Sequence, residues 1–311
     1  MGKILLYGFH VFLAAIPLFV LGALWWLAGW IFFGKPFEFN ILLFASFVLG
    51  LFAFLAFLFD FVLPTIFFPP KRELRIEPLP RKVAVGITAY DHEFSIGPCI
   101  KEFKKNPSVV KVIVIDNNSR DRTAEMARKA GAIVVREPVQ GYGSTCTRAL
   151  KEASKYAPVV CLVEGDGTFL ERDLNKLLAY LENADMVLGT RSTAELVTND
   201  SQVNNWFLRY GNIFMAKLIQ LRYWDRLRLT DVGCTYRVIR TEKLKKILPE
   251  LNITGLQFSP YMTLVALKHD LKVIEVPVSL RARVGESKGV GGSAWKAFRV
   301  GLDMWKEILS N

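Results

Sequence analysis

The chain has 311 residues, 51% of them hydrophobic, and carries a formal net charge of +11. This composition excludes an ordinary soluble protein, and the apolar excess lies almost entirely before residue 70. Because lysines and arginines are spread along the chain and cluster most densely after the apolar region, the charge favours anionic lipid head groups over nucleic acid as the partner.

Two long apolar runs open the chain. The first, from Ile4 to Phe33, has no acidic or basic side chain except His10, and the second, from Ile41 to Phe68, is interrupted only by Asp60. A helix rises about 1.5 Å per residue, so each run is long enough to cross a bilayer core of about 30 Å. A cleaved signal peptide is the competing interpretation of the first run, but signal peptides have apolar stretches of only roughly 7–15 residues. We therefore predict that residues 1–70 form a transmembrane helical hairpin.

A basic segment follows the hairpin. Residues 71–82 form a predicted juxtamembrane linker, whose basic residues are Lys71, Arg72, Arg75, Arg81 and Lys82. The loop 34–40 carries one charge of each sign, so the positive-inside bias places the N-terminus and the following domain on the cytoplasmic side. In this orientation His10 and Asp60 lie at similar depths. A lone acid in a membrane is costly, so we predict that they contact each other; a protonated Asp60 facing protein is the alternative.

Beyond the linker, β-branched runs alternate with helical patterns. The predicted strands are 83–88, 110–116, 132–135, 159–163 and 185–189, and the helix candidates lie near 96–105, 121–130, 143–156 and 171–183. This alternation predicts an α/β domain with a mostly parallel sheet covered on both faces. In such sheets ligands bind at the carboxyl ends of the strands, where Thr88, Asp116 and the segment 164–166 fall.

Four further elements precede the C-terminus. They are an amphipathic stretch at 206–221, a strand at 232–239, a helix near 257–268 and a strand at 272–280. Residues 291–311 form a predicted C-terminal amphipathic helix, in which Trp295, Phe298 and Leu302 begin one apolar stripe. The stripe fits either the membrane interface or packing on the sheet, and the sequence leaves both open.

Two carboxylates follow the strand at 159–163. Glu164 and Asp166 are spaced i, i+2, which on an extended segment points both side chains to the same side. There they can share a hard divalent cation, and a cation so held can bind a diphosphate. A polar turn that begins at the end of a buried strand is the alternative interpretation.

Several motifs extend this pattern. In chain order they are Thr88-Ala-Tyr-Asp-His-Glu93, Val114-Ile-Asp-Asn-Asn-Ser-Arg-Asp121, Gly141-Tyr-Gly143, Glu164-Gly-Asp166-Gly, Asp231-Val-Gly-Cys-Thr-Tyr-Arg237 and Arg283-Val-Gly-Glu-Ser-Lys288. Their order resembles glycosyltransferase family 2, and within it the dolichyl-phosphate mannose and glucose synthases. The resemblance implies a GT-A, Rossmann-like fold for residues 83–290. The chain departs from the family pattern at Glu164, where aspartate is usual, at His92, where glutamate is common, and in carrying its membrane segments before the domain.

The resemblance also implies a site for a GDP- or UDP-hexose donor. Its predicted residues are Thr88, Tyr90, Glu93 and Asp116 for the base and ribose, with Asn118, Gly141, Gly143 and Glu164 completing the donor site. Glycines at a helix start let the backbone approach a diphosphate, although a lone GxG is usually only a turn. For the metal, Mg²⁺ or Mn²⁺, Asp166 is the first candidate ligand and Glu164 the second. The metal would neutralise charge on the departing nucleoside diphosphate.

The remaining predicted residues concern the acceptor. The implied catalytic residues are Asp166, Asp231, Arg191 and Arg237, and the implied acceptor-phosphate residues are Arg237, Arg283, Ser287 and Lys288. A phosphate monoester is already largely dianionic at neutral pH, so it needs no strong base but does need cations beside the charged donor. Asp231 is then expected to orient the site.

Together these observations predict a membrane-anchored, inverting glycosyltransferase. The expected reaction moves a hexose from GDP- or UDP-sugar to polyprenyl (dolichyl) phosphate at the cytoplasmic face. The alternatives are transfer to another membrane lipid or lipid-linked glycan, and a non-catalytic nucleotide-sugar-binding membrane protein. A dinucleotide-binding oxidoreductase is disfavoured, because no GxGxxG follows the first strand.

Overall fold

The structure is a computed structural model that describes residues 3–35, 40–67, 76–78, 82–198, 205–224, 226–285 and 294–310. The chain divides into two compact units, residues 1–73 with 220–225, and residues 74–219 with 226–311. Most of the predicted linker 71–82 lies outside the described residues.

The first unit contains two long apolar helices. Helix α1 spans Lys3–Phe33, and helix α2 spans Ile41–Phe57. A π-helical turn, Leu58–Val62, continues α2 into the short helix α3, Leu63–Phe67. The helical stretches 3–33 and 41–62 have 31 and 22 residues and are each long and apolar enough to cross a membrane, so both are candidate membrane spans, as predicted.

Small residues bring the two helices close together. The buried residues of α1 include Gly8, Ala15, Gly22 and Gly29, which recur every seven positions. A Cβ atom added to Gly8 would lie 2.6 Å from the Cβ of Ala56, and one added to Gly22 would lie 2.9 Å from the Cγ of Leu43. Close backbone approach through small residues is the usual way for helices to associate in lipid, where apolar burial provides no drive.

Two polar residues of the second helical stretch bond to the first helix. Asn40 caps α2 by accepting from the backbone N–H groups of residues 42 and 43, and its amide donates to the carbonyl of Gly22 at 2.7 Å. Asp60 accepts from the N–H of Leu5 at 2.9 Å. The Nδ1 of His10 lies 2.7 Å from the carbonyl oxygen of Leu6. The predicted contact between His10 and Asp60 itself stays a prediction.

The second unit is built on a seven-stranded sheet. Its strands are β1 (Val83–Ala89), β2 (Val109–Asp116), β3 (Ile133–Arg136), β4 (Val159–Glu164), β5 (Met186–Thr190), β6 (Arg237–Arg240) and β7 (Val273–Pro277). The strand order is β3-β2-β1-β4-β6-β5-β7, in which β6 runs antiparallel to both neighbours and all other pairs are parallel. All residues of β1 are buried, as a strand covered on both faces requires. The mostly parallel α/β sheet is confirmed.

Helices connect these strands, and one further helix follows the last strand. They are α4 (Ile96–Phe103), α5 (Thr123–Lys129), α6 (Tyr142–Ala153), α7 (Asp173–Tyr180), α8 (Trp206–Arg222), α9 (Thr241–Ile247), α10 (Phe258–Lys268) and α11 (Ala294–Ser310). The predicted strand at 232–239 was wrong in its first half, because its ladder begins only at Arg237 and residues 231–236 form a loop. Helix α9, which follows β6 directly, was not predicted.

Helix α11 divides its apolar residues between two surroundings. Ile308 is fully buried, and α11 packs against α10. Trp295, Phe298 and Leu302, the first half of the predicted stripe, are 68%, 47% and 46% exposed. Both interpretations of the stripe therefore stay open for these three residues.

Candidate active site

The carboxyl end of β4 carries the first component of the site. The side chain of Asp166 is fully buried, and its Oδ1 accepts hydrogen bonds from the backbone N–H of Thr168 at 3.0 Å and from the Thr168 hydroxyl at 2.7 Å. Its Oδ2 accepts no hydrogen bond among the described residues. A buried carboxylate oxygen without a donor is costly unless a cation lies beside it.

Arg283 supplies that cation. Its Nη2 lies 2.7 Å from Asp166 Oδ2 and 3.4 Å from Glu164 Oε2. The contact with Asp166 is an ion pair by distance, but its angles do not make a hydrogen bond. The backbone delivers Arg283 to this place, because the N–H of Arg281 donates to the carbonyl of Thr168 and the N–H of residue 284 to that of Asp166.

Glu164 is held differently from Asp166. Its Oε1 accepts hydrogen bonds from the hydroxyls of Thr235 and Tyr142, and the oxygens of these two hydroxyls are also in close contact. Burial and the neighbouring charge of Asp166 raise the pKa of Glu164, and Arg283 and the Thr235 hydroxyl oppose this shift. Two hydroxyl donors occupy one oxygen of Glu164, so Asp166 is the better placed of the two predicted metal ligands.

The residues at this position fit a divalent cation. The unbonded Oδ2 of Asp166 is a hard oxygen donor, and Glu164 Oε2 meets the same guanidinium. No group of three or more His, Cys, Asp or Glu side chains arranged for a metal occurs in the described part of the chain. One or two carboxylates completed by substrate phosphates and water is the arrangement that Mg²⁺ usually adopts.

A second acid–arginine pair follows β5. Arg191 meets Asp231 through two side-chain contacts, Nε to Oδ2 at 2.7 Å and Nη2 to Oδ1 at 2.8 Å, and its backbone N–H donates to Oδ2 at 3.1 Å. The N–H of Gly233 adds a fourth hydrogen bond to Asp231. Burial alone would raise the pKa of Asp231, but the charge of Arg191 and these hydrogen bonds outweigh it and hold the pKa below its usual range. Asp231 is thereby held in its ionised form.

A partly buried glutamate supports this pair from β7. Glu275 accepts hydrogen bonds from the backbone N–H and hydroxyl of Thr230 and from the backbone N–H of Asp231. Glu275 was not among the predicted site residues. A charged residue inside the predicted apolar strand 272–280 was the signal that could have found it.

Arg237 differs from the prediction. It lies on β6 and is 1% exposed, with its guanidinium donating to the carbonyls of Ser259 and Cys234. Burial lowers the pKa of this guanidinium. Because carbonyl oxygens of the protein hold it inside the core, the structure does not support its predicted contact with an acceptor phosphate. It ties β6 to the loop at Cys234 and to the start of α10 instead.

The two glycines also differ from the prediction. The N–H of Gly141 donates to the side chain of Asn117, and the N–H of Gly143 donates to the carbonyl of Thr254 at 2.8 Å. A Cβ on Gly143 would collide with the carbonyl oxygen of Ile253. Glycine is required here for close packing of the start of α6 on the backbone at 253–254, and neither N–H remains available for a diphosphate.

Comparison with known proteins decides the family. The model of the family described as "Glycosyl transferase family 2" matches residues 84–248. An uncharacterized glycosyltransferase of Mycobacterium tuberculosis is 33% identical over 220 residues, which cover 68% of this chain and 95% of that protein. The chain belongs to glycosyltransferase family 2.

Two further proteins are similar to this glycosyltransferase. A protein of Haloferax volcanii named dolichyl-phosphate hexose transferase is 30% identical over 207 residues, which cover 66% of this chain and 86% of the relative. The crystal structure of glucosyl-3-phosphoglycerate synthase from Mycobacterium tuberculosis, in complex with Mn²⁺, UDP and glucosyl-3-phosphoglycerate, has a TM-score of 0.54 at 15% identity. The match covers 74% of this chain and 79% of that one. This likeness shows the fold, and confirms the GT-A prediction.

The predicted base and ribose residues of the glycosyltransferase lie along the ends of β1 and β2. In the sheet register Thr88 lies opposite Glu164, and residue 89 lies opposite Asp116. Asp116 is 8% exposed, and its Oδ1 is buried without a hydrogen-bond donor in the described part of the chain. A buried acceptor of this kind suits the N–H or hydroxyl donors of a nucleoside.

The other predicted donor residues shape the rim of this end. Asn118 adopts a left-handed backbone with φ of 59°, and its amide donates to the carbonyl of Pro138. Glu93 forms an ion pair with Arg122 at 3.1 Å, and Tyr90 lies at the end of β1 with its side chain partly buried. Their contact with a nucleotide stays a prediction. The predicted Ser287 and Lys288 lie outside the described residues.

Proposed function

We propose that this glycosyltransferase transfers a hexose from GDP- or UDP-hexose to a polyprenyl (dolichyl) phosphate at the cytoplasmic face of a membrane. The observation that carries the proposal is the group formed by Asp166, Glu164 and Arg283. It places an unbonded carboxylate oxygen and a guanidinium within 2.7 Å of each other. The carboxylate oxygen suits a metal that holds a diphosphate, and the guanidinium suits phosphate oxygens.

The fixed pair of Arg191 and Asp231 supports a phosphate acceptor over a hydroxyl acceptor. A hydroxyl must lose a proton as it attacks, and Asp231 would be the family residue for that task. Here its two oxygens accept from Arg191 and the backbone, which lowers its pKa and its basicity. A phosphate monoester with a second pKa near 6 already carries its nucleophilic charge at neutral pH. The proposed acceptor therefore needs no base from this chain.

The proposed step is a single displacement. An oxygen of the lipid phosphate forms a bond to the anomeric carbon while the bond between that carbon and the donor diphosphate breaks, which inverts the anomeric configuration. Asp166, with Glu164 next to it, would hold Mg²⁺ or Mn²⁺. That metal would stabilise charge on the departing nucleoside diphosphate. Arg283 would bind phosphate oxygens, and Asp116 would bind the nucleoside.

The lipid acceptor and the location rest on the first unit and on a relative. The two candidate spans would keep the enzyme at a bilayer. The basic residues of 71–82 favour a cytoplasmic position for the catalytic domain. The relative named dolichyl-phosphate hexose transferase supports a polyprenyl phosphate as the acceptor.

The test is a transfer assay with purified full-length protein in detergent. Dolichyl phosphate and Mn²⁺ are incubated with labelled GDP-mannose or UDP-glucose in parallel, and label is counted in the organic phase. We expect transfer from one donor, lost with EDTA and in Asp166→Ala. Metal-dependent donor hydrolysis without transfer would support the donor site but contradict polyprenyl phosphate as the acceptor. If neither hydrolysis nor transfer occurs with any hexose donor, the proposed enzymatic activity is wrong.

A further inference from the structure

Arg283 occupies the carboxylates that the proposed metal needs. Its Nη2 lies 2.7 Å from Asp166 Oδ2 and 3.4 Å from Glu164 Oε2, and its side chain is 22% exposed. Among the described residues, Asp166 Oδ2 has no hydrogen bond, so this guanidinium is the charge placed to compensate it. A metal ion at Oδ2 and a guanidinium at the same oxygen would repel each other at very short range.

The backbone makes the contact a built feature rather than a chance surface pair. The N–H of Arg281 donates to the carbonyl of Thr168 at 3.0 Å, and the N–H of residue 284 donates to the carbonyl of Asp166 at 3.4 Å. These two bonds run the segment 281–284 alongside the end of β4. The side chain of Arg283 is thereby directed at Asp166 while its own backbone N–H remains outside this pairing.

The contact also has fewer hydrogen bonds than its neighbour in the same site. Arg191 holds Asp231 by two side-chain hydrogen bonds and a backbone hydrogen bond, whereas Arg283 meets Asp166 through one nitrogen without hydrogen-bond geometry. A bidentate pair is strong and specific, and a single-nitrogen contact can be exchanged at lower cost.

We propose that Arg283 is a displaceable counter-ion, which neutralises Asp166 before the donor binds and moves to phosphate oxygens when the metal–diphosphate arrives. Two consequences follow. Metal binding without a diphosphate is suppressed, because Arg283 competes for Asp166. Metal and diphosphate bind with positive cooperativity, because the diphosphate offers Arg283 a new partner, and this coupling is reciprocal.

The inference rests on the proposed metal-dependent donor site, but not on the identity of the sugar or the acceptor. It also differs from the ordinary role of an arginine that only binds phosphate. Such an arginine leaves metal affinity unchanged when it is removed from the donor-free protein. A competing arginine makes the metal bind more tightly when it is removed.

The experiment is a titration of the purified full-length protein with Mn²⁺ alone, with free Mn²⁺ measured by electron paramagnetic resonance. The proteins are the wild type, Arg283→Gln and the matched control Arg281→Gln. Arg281 lies two residues away, and its guanidinium pairs with Glu102 at 2.6 Å and donates to the carbonyl of Gly167 rather than to the Asp166 carboxylate. We expect Arg283→Gln to bind Mn²⁺ at least about fivefold more tightly than the wild type, the lower limit of ordinary coupling between sites. Arg281→Gln should match the wild type.

A second titration adds inorganic pyrophosphate. We expect pyrophosphate to tighten Mn²⁺ binding more in the wild type than in Arg283→Gln, so that the two curves approach each other. Arg283→Met, which is also neutral, repeats the comparison if the Gln variant does not fold. Equal or weaker Mn²⁺ binding in the neutral variants, or no binding in any of the proteins, would overturn the proposal. If the neutral variants bind Mn²⁺ more tightly but the transfer assay fails, the role of Arg283 is supported and only the proposed acceptor is contradicted.

Discussion

Two acid–arginine pairs of the same catalytic domain are built in different ways. Asp231 accepts two hydrogen bonds from the Arg191 side chain and two more from backbone N–H groups, so both of its oxygens are fully used. Asp166 gives one oxygen to Thr168 and leaves the other to a single nitrogen of Arg283. The difference separates a pair that fixes the fold of the site from a pair that can exchange its partner.

Breaking the fixed pair is expected to have the largest effect, and that effect is on stability. Asp231→Asn removes the charge opposite Arg191, whose side chain is only 16% exposed. Leaving one member of a buried pair uncompensated costs about 3–5 kcal/mol of unfolding free energy. Thermal unfolding in detergent should show a clear loss, and a larger one than Arg283→Gln, because Arg283 is 22% exposed and contacts Asp166 through one nitrogen without hydrogen-bond geometry. Equal losses in both variants would erase the distinction between the two pairs.

Breaking the exchangeable pair at its acid is expected to remove activity rather than stability. Asp166→Asn keeps an oxygen for Thr168 but loses the charge that we propose for the metal. Loss of one such electrostatic group lowers kcat by about 10²- to 10³-fold. The matched control is Asp270→Asn, because Asp270 has a 77% exposed side chain and a left-handed backbone that Asn tolerates. Unchanged transfer in Asp166→Asn would exclude it as the metal ligand.

A third variant tests whether Gly143 is needed for close packing against the backbone at 253–254. Gly143→Ala puts a Cβ against the carbonyl of Ile253, and such overpacking costs about 1–3 kcal/mol of stability. Gly97→Ala, in helix α4 with no atom near its added Cβ, is the control and should be neutral or stabilising. The melting temperatures measure both. If Gly143→Ala has the wild-type melting temperature but binds the donor more weakly, the result would support a role for this glycine in diphosphate binding.

The pH dependence of stability should show the smallest effect. The pKa of Asp231 is lowered in the folded protein, so its pair stabilises the fold fully above the unfolded value of about 3.9. This stabilisation is lost as the pH falls through the folded pKa. The difference in melting temperature between the wild type and Asp231→Asn should therefore be constant near neutral pH and shrink only in acid. A difference that already shrinks between pH 7 and 5 would contradict the lowered pKa.

Much of the fold followed from local patterns. β-Branched runs located the strands β1 to β5, and the spacing of Glu164 and Asp166 pointed to the end of β4 as the candidate site. The signals were local, because the central strands β1, β4 and β5 are almost entirely buried and form continuous apolar runs in the sequence.

The features that the sequence could not show depend on distant partners. Arg237 was assigned to the acceptor, but β6 lies between β4 and β5, and that position buries its side chain. The role of Gly143 is set by the backbone at 253–254, more than 100 residues later in the chain. No spacing within either motif contains this information. Likewise, the sequence offered Arg191 and Arg283 as similar cations, and only the geometry distinguishes their pairs.

The central claim is that Asp166 exchanges Arg283 for a metal while Asp231 keeps Arg191. The most direct measurement is an experimental structure of the full-length protein with Mn²⁺ and the nucleoside diphosphate of its donor, with the metal located by anomalous scattering. We predict that Mn²⁺ lies on the Asp166 carboxylate, that Arg283 contacts phosphate oxygens, and that the bidentate contact of Arg191 with Asp231 is unchanged. A metal bound away from Asp166, or Arg283 still paired with Asp166 beside a bound diphosphate, would contradict the account.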